Sequence, residues 1–399
     1  MKKILLTILS ASVSLGMFAD LTGNGYYRVR NCGSERWASL IDNHGAVDYV
    51  AGTADVHALQ LTEDTETILT DPASIVYFTK QSGNRYNVAA QGTSLEQLVG
   101  YPVNIRVEES GSDGMSKYVI YGTKSNVTKY IGDANILPGN YGTATTEPAN
   151  YPSYRPYRQW YILPLSVTTS NYFAAVPTII AGGKLYNTLY TSFPYAPYSS
   201  GVKAYYIGRV GGGMAEMIEI TGTVPEGSPV IIQCAGTEPT DNRLELKSEK
   251  ASLSGNSLSG VYFNFENNSI KNFVKYDPRT MRVLGATSDG SLGFITDYNL
   301  ESIPANTAYL VVPKDSPAEF KCVSSSEFTA GVDSVISDSE TLVYENGYLN
   351  CSQPTEIIIY NLGGSMVARH YGTSINLTGF AKGIYIAKTS DKSLKFVIN

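Results

Sequence analysis

Short runs rich in Tyr, Val, Ile and Thr, each closed off by Gly, Asn, Asp or Pro, recur from Tyr26 to the end of the chain. Such runs bury one face as strands, and the breakers between them force turns. Helical spacing of apolar residues is nearly absent. Ser94 to Gly100 reads as one short helix and Asp55 to Leu61 as a poorer one, and neither is long enough to change the class. The chain is therefore expected to be all-β. Its 399 residues, at roughly 150 per domain, suggest two or three domains that can each bury a core.

The N-terminus departs from this pattern. Lys2 and Lys3 precede an apolar run from Ile4 to Leu15, and Gly16-Met17-Phe18-Ala19 ends in a small residue. A signal peptide over residues 1–19, cut after Ala19, is expected. The run is shorter than the roughly 20 residues that span a bilayer, and no later stretch supplies one. The first cysteine is Cys32, inside a strand-like run, so a lipid anchor at the N-terminus is not expected. A secreted or outer-surface protein that does not span a membrane follows. A net charge of −6 without a Lys/Arg cluster excludes the electrostatic footprint of a nucleic-acid binder.

Four cysteines, Cys32, Cys234, Cys322 and Cys351, allow three pairings. Cys234 with Cys322 is the favoured pair because both end apolar strands. Four buried thiols are the equally weighted alternative. No CxxC spacing exists, so no metal is expected.

Residues 20–165 open on Gly25-Tyr26-Tyr27-Arg28-Val29-Arg30 and close on Trp160-Tyr161-Ile162-Leu163-Pro164. They resemble the ricin-like β-trefoil modules common in Bacteroidetes surface proteins. That resemblance implies a trefoil-like N-terminal domain. Lectin trefoils carry a Gln-x-Trp motif, whereas Gln159 and Trp160 are adjacent here, so the usual sugar pocket is not implied. Residues 166–325 form a middle, sandwich-like β domain containing an internal echo, Val224-Pro225-Glu226-Gly227 against Ile303-Pro304-Ala305-Asn306. In each copy Pro presets a turn, Gly or Asn tolerates positive φ two residues on, and a buried strand follows.

A polar stretch over 326–340 reads as a linker, with Asp333-Ser334-Val335 similar to a Bacteroidetes O-glycosylation acceptor or simply an exposed loop. Residues 341–399 show about seven short strands and an Asn346-Gly347 hairpin signal, an Ig-like sandwich. Ile357 to Gly364 and Lys382 to Lys388 are similar to the C-terminal sorting domain of the type IX secretion system. This implies the secretion machinery as a partner. Ala381, where that family often has Pro, and the ending Phe396-Val397-Ile398-Asn399 leave open whether the domain is cleaved or retained.

Chemistry is sparse. Only His44, His57 and His370 are available as imidazole bases. His44 and His57, near Asp42, Asp48 and Asp55, match no metal-ligand spacing. Gly208 to Gly213 lacks the lysine of a phosphate loop and reads as a hairpin tip. No catalytic residue and no cofactor is assigned, although a carboxylate pair formed only in space stays open. The 30 tyrosines stand out. Tyr154, Tyr157 and Trp160, crowded beside Pro152, Pro156, Arg155 and Arg158, are the candidate ligand contacts, because flat rings with polar tips stack on sugars and peptides. Strand packing is the competing use of the same residues. A second group, Tyr186, Tyr190, Phe193, Tyr195, Tyr198, Tyr205 and Tyr206, is equally open, with Phe193 to Ser199 expected as an exposed loop. A non-catalytic binder of glycans or host proteins is the expected function. A surface spacer and a polymer-degrading enzyme are the alternatives.

Overall fold

The computed structural model describes residues 21, 23–45, 48–50, 53–111, 115–133, 141–145, 152–330, 342–389 and 392–398; the side chains of 48–50, 53–58, 141–145 and 152–154 are outside that description. The leader expected over 1–19 and Asp333 to Val335 lie outside the described residues, as do the side chains of His57 and Tyr154. Almost every element is a strand, so the chain is all-β. Two compact units divide it, Met1–Ser325 and Ser326–Asn399.

Six strands of the first unit close a barrel: β1 (Gly25–Asn31), β2 (Val76–Lys80), β3 (Tyr86–Ala90), β4 (Val103–Glu109), β5 (Lys117–Lys124) and β6 (Gln159–Pro164). β1 pairs with β2 and β2 with β3. A bridge between Arg85 and Asn104 joins β3 to β4. β4 then pairs with β5, β5 with β6, and β6 returns to β1 with Val29 opposite Ile162. Hairpins fill the gaps after β1 and after β5. After β3 the place is taken by Thr93–Ser94 and helix α1 (Leu95–Val99). This is a trefoil-like plan with one hairpin replaced.

α1 starts where Ser94 and Gln97 cap each other and stops at Gly100, whose φ of +70° only a residue without Cβ adopts cheaply. Asp55 to Leu61, by contrast, is strand. Thr53–Thr62 pairs on both sides, with Trp37–Leu40 and Tyr141–Thr145, and those ladders override the local helical spacing. The two-residue strand period sends Tyr27 inward, where it stacks on Phe78 at 5.2 Å between centroids. Its neighbour Tyr26 therefore faces out.

In the middle region β7 (Lys184–Leu189), β8 (Lys203–Gly211), β9 (Met214–Ile220) and β10 (Val230–Cys234) precede β11 (Leu258–Val261), β12 (Met281–Ala286), β13 (Leu292–Ile295) and β14 (Thr307–Val311). One sheet carries them in the order β7-β10-β8-β9, then β15 (Glu319–Val323), then β13-β12-β14-β11. The second half repeats the first in mirror order. The echoed turns sit at equivalent places, before β10 with Gly227 at φ +66° and before β14 with Asn306 at φ +59°. Gly212 and Gly213 form the tip of the β8 to β9 hairpin.

Barrel and middle region share a core and do not hang on a tether. Ile75 from the barrel packs among Phe173, Phe193, Tyr195, Val230, Ile232 and Leu244. Phe193 and Tyr195 are 2% and 1% exposed, so the segment from Phe193 is not the exposed loop expected; its rings close the junction. Arg28 is fully buried there and donates to Ser74 Oγ at 2.8 Å, Asn171 Oδ1 at 2.8 Å and the Tyr172 carbonyl at 2.7 Å.

Residues 326–330, where the second unit begins, are helical, and residues 331–340 of the expected linker lie outside the described residues. Five described strands follow, not seven: β16 (Leu342–Glu345), β17 (Tyr348–Asn361), β18 (Met366–Asn376), β19 (Gly383–Lys388) and β20 (Ser393–Ile398). Two pairs of expected short strands are continuous across register shifts, as β17 and β18. β16 and β20 share no ladder, yet Tyr344 and Phe396 lie 4.7 Å apart. The sheet thus folds over a core of Leu349, Ile357, Ile359, Leu377 and Ala387.

Candidate functional site

Of the three expected contacts Trp160 faces the core, Tyr157 is partly accessible, and the Tyr154 side chain lies outside the described residues. Trp160 is 1% exposed, and its indole N–H donates to the Ile131 carbonyl at 2.8 Å inside the barrel. Tyr157 is half-buried, with its ring against Gly33, where a Cβ would come within 2.8 Å of it. Adjacent residues on a closing strand alternate between core and surface, and Trp160 takes the core side. All four cysteines are thiols. Cys234 packs in the junction core, while Cys322 packs against the cluster around Phe294 and Leu310. Burial pushes both thiols up to about 12, which suits packing and not reactivity.

A cleft of about 770 Å³ lies where barrel and middle region meet. That volume falls within the range of ligand sites. Its aromatic walls come from four places in the chain. Tyr26 on β1 and Tyr77 on β2 are opposite in register and face outward, with centroids 4.7 Å apart. Phe193 meets Tyr26 edge-on at 5.8 Å. Tyr262, just past β11, stacks on Tyr190, just past β7, at 4.2 Å and 24°. These two tyrosines occupy equivalent positions in the two halves of the middle region.

Small residues make that stack possible. A Cβ on Gly260 would stand 2.3 Å from the Tyr190 ring, so only glycine admits the ring there. Gly227 approaches both hydroxyls, with a built Cβ 3.9 Å from that of Tyr262 and 4.0 Å from that of Tyr190. Its N–H donates to the Thr191 carbonyl at 2.8 Å, and the Tyr262 hydroxyl donates to the same oxygen at 3.3 Å. From the barrel side Gln91, 2% exposed, donates through its side-chain amide to Asn306 and receives Ser192 Oγ as the acceptor of its backbone N–H. Gln91 Oε1 is buried without a partner. Both flanking residues, Ala90 and Gly92, line the cleft.

The rim is polar: Thr93, Ser94, Gln97, Ser192 and Ser248 supply hydroxyls and an amide, and Glu226, Glu249 and Lys250 supply charge. Burial, then Tyr77 and the Glu226 carboxylate, raise the Tyr26 phenol to about 12. Burial chiefly, with Tyr190 and then Glu226, pushes the Tyr262 phenol up as well. Both phenols are neutral donors at physiological pH. No group of three or more His, Cys, Asp or Glu side chains able to hold a metal occurs among the described residues. Of the histidines, His44 contacts Asp42 at 3.0 Å and His370 lies on β18.

Of the residues singled out in sequence, Phe193 reaches the cleft and Tyr190 supports it from behind. Tyr26, Tyr77, Tyr262 and Glu226 also line it and carry no local sequence signal of a site. Tyr26 stood inside the opening strand motif, and Glu226 inside the echoed turn, but nothing local says which strand faces meet.

No family model and no curated protein matches the chain. Among solved structures it is similar to the hemolytic lectin CEL-III, at 9% identity, with 88% of this chain and 74% of that one covered and a TM-score of 0.20. So loose a likeness assigns neither family nor ligand. No helix among the described residues is long and apolar enough to cross a membrane.

Proposed function

We propose that the chain is an exported, non-catalytic binding protein and that the cleft between barrel and middle region holds a short stretch of glycan. The observation that carries this reading is the convergence of the Tyr26, Tyr77 and Tyr262 rings with a hydroxyl and amide rim on one cavity. Ring faces take the apolar side of a pyranose and the rim takes its hydroxyls. A built cavity favours this over a spacer, which needs none. Leader and C-terminal unit are read as export signals on the sequence patterns alone. A glycan array with the mature chain, followed by Tyr262→Ala, tests the site. The expected outcome is a saccharide signal that falls about tenfold in the variant, the size of one lost stacking contact. A signal no stronger than that of an unrelated β protein refutes it.

Two carboxylates in the cleft, Glu226 and Glu249, favour a second reading as a glycoside hydrolase. A general acid must keep its proton near neutral pH through burial, and both side chains are exposed. Binding is the better fit. Release of reducing ends from a bound polymer, abolished in Glu226→Gln, would reverse that choice.

A further inference from the structure

The cleft has a sign as well as a shape, and this inference rests on the glycan-cleft reading above. Glu226 and Glu249 enter from the middle region, and Lys250 is the one cation among its lining residues. None of the three forms an ion pair among the described residues. Glu226 sits on the turn between Pro225 and Gly227, and Gly227, the next residue, is the one whose built Cβ lies 3.9 Å from the Tyr262 hydroxyl. Its charge acts on phenols from both sides of the cleft, Tyr26 of the barrel and Tyr262 of the middle region. A carboxylate that lines one cleft together with aromatic rings can attract a cation by its charge, and the negative ring faces can add to that attraction.

We propose that the cleft selects a glycan bearing free amino groups, one ammonium seated against Glu226 between Tyr26 and Tyr262. A basic peptide offers the same charge. However, the cleft strand β3 is hydrogen-bonded on one side to β2 and on the other to Thr93–Ser94, so it has no free ladder for an extended peptide to join. The hydroxyl and amide rim suits a sugar instead.

The test measures binding of three probes to the mature full chain by calorimetry: a glucosamine tetramer, an N-acetylglucosamine tetramer and a tetralysine peptide. The glucosamine tetramer is expected to bind about tenfold more tightly than its acetylated counterpart, an advantage that shrinks with added salt. Glu226→Gln should remove the preference and Glu226→Asp should retain part of it, with circular dichroism unchanged in both. Glu249→Gln should weaken it less, because Glu249 is not carried on the turn next to Gly227. Equal binding of the two sugars overturns the amino-group selection while the glycan cleft stands. Binding of tetralysine alone overturns both, as does binding of no probe together with a blank glycan array.

Discussion

Truncating Arg28 should loosen the junction that forms the cleft. Its guanidinium is fully buried and holds Ser74 Oγ, Asn171 Oδ1 and the Tyr172 carbonyl across the seam between barrel and middle region. In Arg28→Ala, Ser74 keeps its own donation to the Asp71 carbonyl at 2.7 Å, but the acceptors on Asn171 and Tyr172 lose this donor. Each buried acceptor left unpaired costs about 1–3 kcal/mol, and the cavity adds to that. Opposing this, burial lowers the Arg28 pKa to about 9, which reports how costly the charge is to bury, and truncation recovers that cost. Asp71, half-buried, loses its nearby positive charge at the same time.

The net expectation is a loss of about 3–5 kcal/mol for Arg28→Ala. Arg28→Met fills the volume without the charge and should lose about 1–3 kcal/mol. Urea unfolding of the full chain, followed by near-ultraviolet circular dichroism, reads both, with glycan affinity measured alongside. Equal losses in the two variants would refute the volume argument. A loss below about 1 kcal/mol in Arg28→Ala would refute the anchoring role itself.

Three further outcomes are expected. Gly260→Ala should displace Tyr190, open the stack under Tyr262 and reduce cleft binding, at a stability cost of about 1–3 kcal/mol; unchanged affinity would mean that the stack does not shape the site. Asp71 has its folded pKa raised, by burial first, so the folded state binds the proton more tightly than the unfolded chain. Stability should therefore be lost as pH rises through the window from about 3.8 up to that raised value, and Asp71→Asn should flatten the dependence; a parallel pH profile in the variant would contradict this. Finally, denatured and unreduced protein should titrate as four free thiols, and two or fewer would restore the Cys234 to Cys322 bridge.

Much of the fold was legible because strands and tight turns are local. The capping box at Ser94 and Gln97, the positive φ at Gly227 and Asn306, and the Asn346-Gly347 hairpin depend on a few neighbouring residues. Misreadings arose where partners are distant. Thr53–Thr62 became strand through ladders to Trp37–Leu40 and Tyr141–Thr145, and the aromatic segment at Phe193 and Tyr195 became core because the barrel packs on it.

The site shows the same division. Residue order alone settled that the chain would be built of short strands, because alternation and breakers act within a few residues. It could not say that Tyr26 looks out while Trp160 looks in, since that depends on how the barrel closes and which face the middle region covers. Only the packed structure set Tyr26, Tyr77 and Tyr262 around one cavity, for they lie far apart along the chain and meet through a shared core.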